Sequence, residues 1–226
     1  MNIAIIVAAG KSKRTKGINK LFYKINDNPL IFYTIKIFES HPQINKIIIV
    51  TRKENCKKFK EIINKYKFTK IVSIIEGGKE RQDSCFLGLK EADKLGTKQN
   101  DLILFHNGAN PLVLKNEITN VINAAKKYKV ALLGQMAKDT IKELDKNGVI
   151  VKTIDRNKIF LAQTPQVIEF TLAKKAFKAA QEKNFQGTDD VSLVEKLGKK
   201  VKAIPCSSRN IKATTREDLQ TIKTFL

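Results

Sequence analysis

The chain has 226 residues and 42% hydrophobic content, enough to bury an α/β core, and none of its apolar runs approaches the roughly 20 residues that span a bilayer. The formal net charge is +21, yet only six of the 43 basic residues are arginine and tryptophan is absent; base-specific nucleic-acid recognition leans on arginine and stacking platforms, so the positive field suits a polyphosphate ligand better. Three scattered cysteines and two histidines exclude a disulfide framework and a histidine-rich metal site.

Ile3–Val7 reads as a first, buried strand. The start lacks the basic leader of a secretory signal, so a cytoplasmic protein is expected. The strand runs into Ala8-Ala9-Gly10-Lys11-Ser12-Lys13-Arg14. Glycine lets backbone N–H groups approach an anion, and the basic residues neutralise it. A nucleotide P-loop is excluded, because G-x-x-x-x-G-K-[ST] requires glycine where Ile5 stands, and G-x-G-x-x-G is absent. Ala8, Ala9, Gly10 and Arg14 form a phosphate loop or, alternatively, a surface turn; Lys20, six residues on, is in reach of the same phosphates.

Asn28-Pro29 is expected to cap and open a helix. A strand at Lys46–Val50, a helix at about Lys53–Tyr66 and a strand at Lys70–Ile75 follow. Gly77-Gly78-Lys79-Glu80-Arg81-Gln82-Asp83-Ser84 then leads into a helix at about Ser84–Lys94; it is either a place where a ligand meets backbone amides or a βα turn capped by Ser84. The Asp101–Phe105 strand ends in His106-Asn107-Gly108-Ala109-Asn110-Pro111, with His106 a ligand or, in the favoured reading, a satisfied structural histidine. A helix at Lys115–Tyr128 and a strand at Val130–Leu133 come next.

Thr140–Glu143 and Val149–Thr153 flank Asp145-Lys146-Asn147-Gly148, a strong hairpin signal, so an arm at about residues 137–157 is expected to project from the sheet, either toward a partner subunit or as a plain surface hairpin. Asp139-Thr140, Asp155-Arg156-Asn157, Gln163-Thr164-Pro165-Gln166 and Asn210-Ile211-Lys212 offer cations or hydroxyls for phosphate. Two helices, at about Glu169–Lys183 and Asp189–Leu197, a run at Val201–Ile204 and a final helix capped at Thr215 complete the chain. Alternating strands and helices imply one α/β domain over 1–226. Its sheet is expected to be Rossmann-like and mostly parallel, with helices on both faces, the β-hairpin arm projecting and the site at the carboxyl ends of the strands.

The ordered set A-A-G-x-x-x-R, Lys20, G-G-x-x-R-x-x-S, H-x-x-A-x-P, D-T-I-K, D-R-N, Q-T-P-Q, T-D-D at Thr188–Asp190 and N-I-K-x-T, spanning about residues 1–220, resembles the 2-C-methyl-D-erythritol 4-phosphate cytidylyltransferase family of isoprenoid-precursor synthesis. The resemblance implies CTP and methylerythritol phosphate (MEP) as substrates, magnesium, and a homodimer with exchanged β-arms. It implies that Arg14 and Lys20 stabilise phosphate charge and that Arg156, from the neighbouring subunit, and Lys212 hold the incoming phosphate. Thr140, beside Asp139, would position MEP, and Gly78 and Ser84 would contact cytosine. The chain departs from the family's H-D-A-A-R-P, in which the aspartate holds magnesium: Asn107 and Asn110 replace the acid and the arginine, and Arg209 stands where an acid is frequent. These departures leave open another acceptor, such as ribitol 5-phosphate, and a nucleotide-binding relative without catalysis.

Overall fold

The structure, a computed structural model, describes residues 1–10 and 19–226. Its strands are β1 (Asn2–Ala8), β2 (Lys24–Ile25), β3 (Asn28–Pro29), β4 (Lys46–Thr51), β5 (Ile71–Glu76), β6 (Leu102–Asn107), β7 (Val130–Met136), β8 (Ile141–Leu144), β9 (Ile150–Ile154), β10 (Phe160–Glu169) and β11 (Lys202–Pro205). Its α-helices are α1 (Leu30–Glu39), α2 (Cys56–Tyr66), α3 (Arg81–Lys94), α4 (Lys115–Tyr128), α5 (Phe170–Glu182), α6 (Asp190–Glu195) and α7 (Arg216–Lys223).

Seven strands form the central sheet in the order β11-β7-β10-β6-β1-β4-β5. The pairs β6/β1, β1/β4, β4/β5 and β7/β11 are parallel, and β10 runs against both its neighbours, β6 and β7. The expected mostly parallel sheet is therefore present. β1 shows why both faces are covered. Ala4, Ile6 and Ala8 enter one core cluster with residues of α1, α2, α4 and α7, while Ile3 and Ile5 enter the other with residues of α3, α5 and α6. Phe38 and Phe59 fill the first face, Phe105 and Phe177 the second, and all four are at most 1% exposed. Each such side chain contributes roughly 1.5–3 kcal/mol through removal from water.

Three expectations need correction. Asn28-Pro29 does not lie in the first turn of a helix: it pairs with Lys24–Ile25 as β3, and Pro29, with extended backbone, is the residue before α1. The Asn28 side chain is occupied instead, accepting from the Tyr66 hydroxyl at 2.6 Å. Helix α3 starts at Arg81, three residues before Ser84, with the Asp83 carboxylate accepting from the Glu80 N–H at 2.9 Å. Finally, Phe160–Glu169, whose polar Gln163–Gln166 stretch suggests only a ligand cluster from sequence, is a central strand. Its proline is tolerated because the ladder to β7 is interrupted between Ala162 and Gln166. The final helix does start as expected: the Thr215 hydroxyl accepts from the Asp218 N–H and the Asp218 carboxylate from the Thr215 N–H.

The arm leaves the sheet between Met136 and Phe160, which are register partners in β7 and β10. Its two strands, β8 and β9, pair with each other, and the turn places Gly148 at φ 82° while the Asp145 carboxylate accepts from the N–H groups of Asn147 and Val149. Apolar residues remain uncovered on it: Leu144, Val149, Ile150 and Val151 are 56–61% exposed.

Candidate active site

Strands β1, β4, β5 and β6 are parallel and so end at one edge of the sheet. There β1 gives way to Ala8, buried, Ala9, half-buried, and Gly10, exposed. Gly77 follows β5 at once. A Cβ on it would stand 2.6 Å from the Ala9 Cβ and 2.7 Å from the Ser84 Oγ, so only glycine lets this turn lie against the end of β1. The Gly78 N–H donates to Ser84 Oγ at 3.1 Å, and that hydroxyl donates to the Glu80 carbonyl at 3.1 Å. Ser84 is buried and shapes the turn from inside. Ala8, Ala9, Gly10, Gly78 and Ser84 are thus brought together.

The end of β6 carries a polar network. His106 is fully buried, with its ring nitrogens 2.9 Å from the Asn110 carbonyl and 3.0 Å from Thr164 Oγ1. Burial pushes its pKa down to about 4, so it is neutral near pH 7 and ties β6 to β10. The structural reading of His106 holds, since both nitrogens are in use. Next to it, the Asn107 side chain donates to Thr164 Oγ1 (3.4 Å) and Asn110 Oδ1 (3.3 Å) and accepts from Arg81 Nε at 3.2 Å.

Arg81, at the start of α3, grips both oxygens of Asp190 at 2.9 and 2.6 Å. Asp190 is only 1% exposed and would be a costly orphan without this partner. Burial pulls the guanidinium's pKa down, but the adjacent Asp190 charge outweighs it and raises the value. Gln166 anchors the other side of α6, accepting from the N–H groups of Asp190 and Val191 and donating to Asp189 Oδ2.

The loop between β11 and α7 is held to the same cluster. Asn210, fully buried, donates to the Thr164 carbonyl at 2.9 Å and accepts from Asn110 Nδ2 at 3.3 Å. The Ala213 N–H donates to the Ala109 carbonyl at 2.8 Å. The exposed Lys212 is therefore carried between two fixed points at the edge where β6 ends. Lys20 opens a 3-10 turn, Lys20–Phe22, whose Leu21 is buried in the core. Arg14 lies outside the described residues. Arg156, Asp139 and Thr140 are on the arm: Arg156 Nη1 donates to the Lys138 carbonyl at 2.7 Å, which sets the guanidinium beside Asp139-Thr140 at the arm's base. The bonds described for Arg156 stay within the arm.

Sequence reasoning passed over Arg81, Asp190, Thr164, Gln166 and Asn210 as individual actors. One signal was available: arginine is scarce among the basic residues, and a planar donor fork is what a buried carboxylate requires.

The network at the end of β6 is rich in cations and amides, and its carboxylates are engaged. Asp190 is committed to Arg81, and the Asn107 oxygen faces a guanidinium. Among the described residues no group of three His, Cys, Asp or Glu is placed to hold a metal. The magnesium that the resemblance implies does not fit these donors as a protein-bound ion.

Comparison with known proteins adds to this geometry. The family model described as 2-C-methyl-D-erythritol 4-phosphate cytidylyltransferase matches residues 2–226. A protein of that name from Caldanaerobacter subterraneus subsp. tengcongensis is 42% identical over 229 residues, covering 100% of this chain and 99% of its own. The crystal structure of 4-diphosphocytidyl-2C-methyl-D-erythritol synthase from Anaerococcus prevotii superposes with a TM-score of 0.86 at 28% identity, covering 100% of this chain and 95% of that one. The 2-C-methyl-D-erythritol 4-phosphate cytidylyltransferase of Francisella tularensis gives 0.83 at 30% identity, covering 100% and 99%.

Proposed function

The chain belongs to the 2-C-methyl-D-erythritol 4-phosphate cytidylyltransferase family, and we propose that the carboxyl edge of its sheet carries the family's reaction. The enzyme transfers CMP from CTP to MEP, giving CDP-methylerythritol and pyrophosphate. The observation that carries the assignment to this edge is the continuous network from Arg81 through Asn107, Asn110 and Asn210, which fixes the Lys212 loop beside the glycine turns at the ends of β1 and β5.

A phosphate oxygen of MEP attacks the α-phosphorus of CTP. The new P–O bond forms as the bond to the bridging oxygen breaks, and pyrophosphate leaves with the electron pair. Positioning and fixed positive charge suffice for this chemistry, without a covalent intermediate. Ala8, Ala9 and Gly10 offer backbone to the triphosphate, Arg14 and Lys20 stabilise its growing charge, and Gly78 with Ser84 borders the cytosine. Lys212 aligns the incoming phosphate. Arg156, Asp139 and Thr140 complete the acceptor side from the partner of a homodimer formed through the arm; the uncovered apolar arm residues support that assembly. Magnesium would screen the phosphate charge, and the acids beside Asn107, committed to Arg81, Gln166 and Ser192, are not free to hold it. Three unpaired thiols fit the reducing cytoplasm. Among the described residues no helix is long and apolar enough to cross a membrane.

The test is pyrophosphate release by purified protein with CTP, Mg²⁺ and either MEP or ribitol 5-phosphate. We expect turnover with a clear kcat/KM preference for MEP, and a drop of about 10²–10³ in Lys212→Ala, the scale seen when a transition-state charge partner is removed. No release with either acceptor, while CTP binding is intact, would overturn the proposal.

A further inference from the structure

Nucleotidyl transfer from a triphosphate ordinarily engages a divalent cation that screens the phosphate oxygens. Hard cations of this kind take oxygen ligands, above all carboxylates. In the network around Asn107, at the end of β6, the carboxylate oxygens have a prior commitment. Asp190 gives both oxygens to Arg81. Asp189 accepts from the Ser192 N–H with one oxygen and from the Gln166 amide with the other. Asn107 has its amide orientation set by its surroundings: Nδ2 faces the oxygens of Thr164 and Asn110, while Oδ1 faces Arg81 Nε at 3.2 Å. Turning the amide over would oppose an NH₂ to a guanidinium. That guanidinium also sets a full positive charge within hydrogen-bonding distance of the one oxygen a cation would seek. The segment at residues 11–18 contains no Asp or Glu in its sequence, so it adds no acid.

We infer that the described residues around the end of β6 form no divalent-cation site of their own and that the ion is taken there only as the metal complex of the triphosphate substrate, with Asn107, held by Arg81, as the residue that closes this part of the edge to a free cation. The inference rests on the cytidylyltransferase reading for the identity of the triphosphate. Its metal half depends only on the side chains at the edge, so the two are separable by experiment.

The probe is Mn²⁺, its free concentration followed by electron paramagnetic resonance during titration of the full chain. Wild type, Asn107→Ala and Asn107→Asp are each titrated without and with CTP. Without CTP, wild type and Asn107→Ala should withdraw Mn²⁺ equally weakly, while Asn107→Asp binds it at least about tenfold more tightly, since affinity follows ligand charge. With CTP present, wild type should retain Mn²⁺ together with the nucleotide through gel filtration, in which unbound CTP does not stay in the protein fraction. Nucleotide-free binding by wild type that Asn107→Ala weakens severalfold would overturn the inference. So would an Asn107→Asp protein with a native circular dichroism spectrum and no gain. Failure of wild type to retain Mn²⁺ with CTP also overturns it. CTP titration in EDTA then tells whether the nucleotide site itself is missing, the result that would sink the functional reading as well.

Discussion

The edge around Asn107 and the arm at β8–β9 solve opposite problems. At the edge, polar groups are buried and each is answered within the same chain: His106 by Asn110 and Thr164, Asn210 by Thr164 and Asn110, Asp190 by Arg81. On the arm, the backbone pairs with itself but the apolar side chains are left to water. The first region is complete in a single copy. The second holds its shape through its own ladder and turn and has its apolar surface still to be covered. Half of the machinery is therefore built by folding, and the other half, on the proposal above, by association.

Breaking the edge should have the largest consequence. Arg81→Ala leaves Asp190 buried and unpaired, which costs about 3–5 kcal/mol; urea denaturation should show it, and a loss below 1 kcal/mol would mean that Asp190 finds water or another partner. The next effect is a pH dependence. His106 has a native pKa of about 4 against an ordinary 6.5, so the unfolded chain takes up a proton between those values while the native chain does not. That uptake favours unfolding, so stability is full above pH 6.5 and falls by on the order of 3 kcal/mol as the pH drops toward 4. His106→Gln should flatten that part of the stability curve relative to wild type, and parallel curves would refute the assignment.

Changes to the arm should separate assembly from folding. Leu144 and Ile150 are register partners and are 56% and 58% exposed. Replacing both by lysine should yield a monomer in sedimentation, with the unfolding midpoint of the core nearly unchanged. It should cost about tenfold or more in kcat/KM for MEP, equivalent to about 1.4 kcal/mol. A variant that remains dimeric and fully active would show that another surface joins the subunits. The smallest effect belongs to Gly148→Ala. Nothing lies within 4 Å of the added Cβ, so only the φ of 82° resists, at about 1 kcal/mol. Faster amide exchange at Val149, with rates in the core strands unchanged, is the expected readout.

Much of this frame was legible in residue pattern. The runs Ile3–Val7, Lys46–Val50 and Asp101–Phe105 are apolar strands because helices cover both faces, and Asp145-Lys146-Asn147-Gly148 announces its hairpin through turn chemistry. β10 was not legible, because Gln163-Thr164-Pro165-Gln166 is polar and contains proline. Its polar side chains serve the network, and its proline sits where pairing is broken; neither fact is local. The same holds for Arg81 and Asp190, which are 109 positions apart and meet only because the starts of α3 and α6 converge on one edge. Gly77–Ser84 could be placed at a strand end from sequence, but the role of Ser84 as an internal support needed its two hydrogen bonds.

Met136 and Phe160 already face each other across the β7–β10 ladder, and the Ala137 N–H donates to the Ile159 carbonyl at 3.0 Å. The arm is thus an excursion from a closed junction, attached at a single doorway. Evolution or an engineer can lengthen it, trim it or replace it with a tight turn without rethreading the sheet, so the apolar surface it presents is free to change while the tertiary architecture stays as it is.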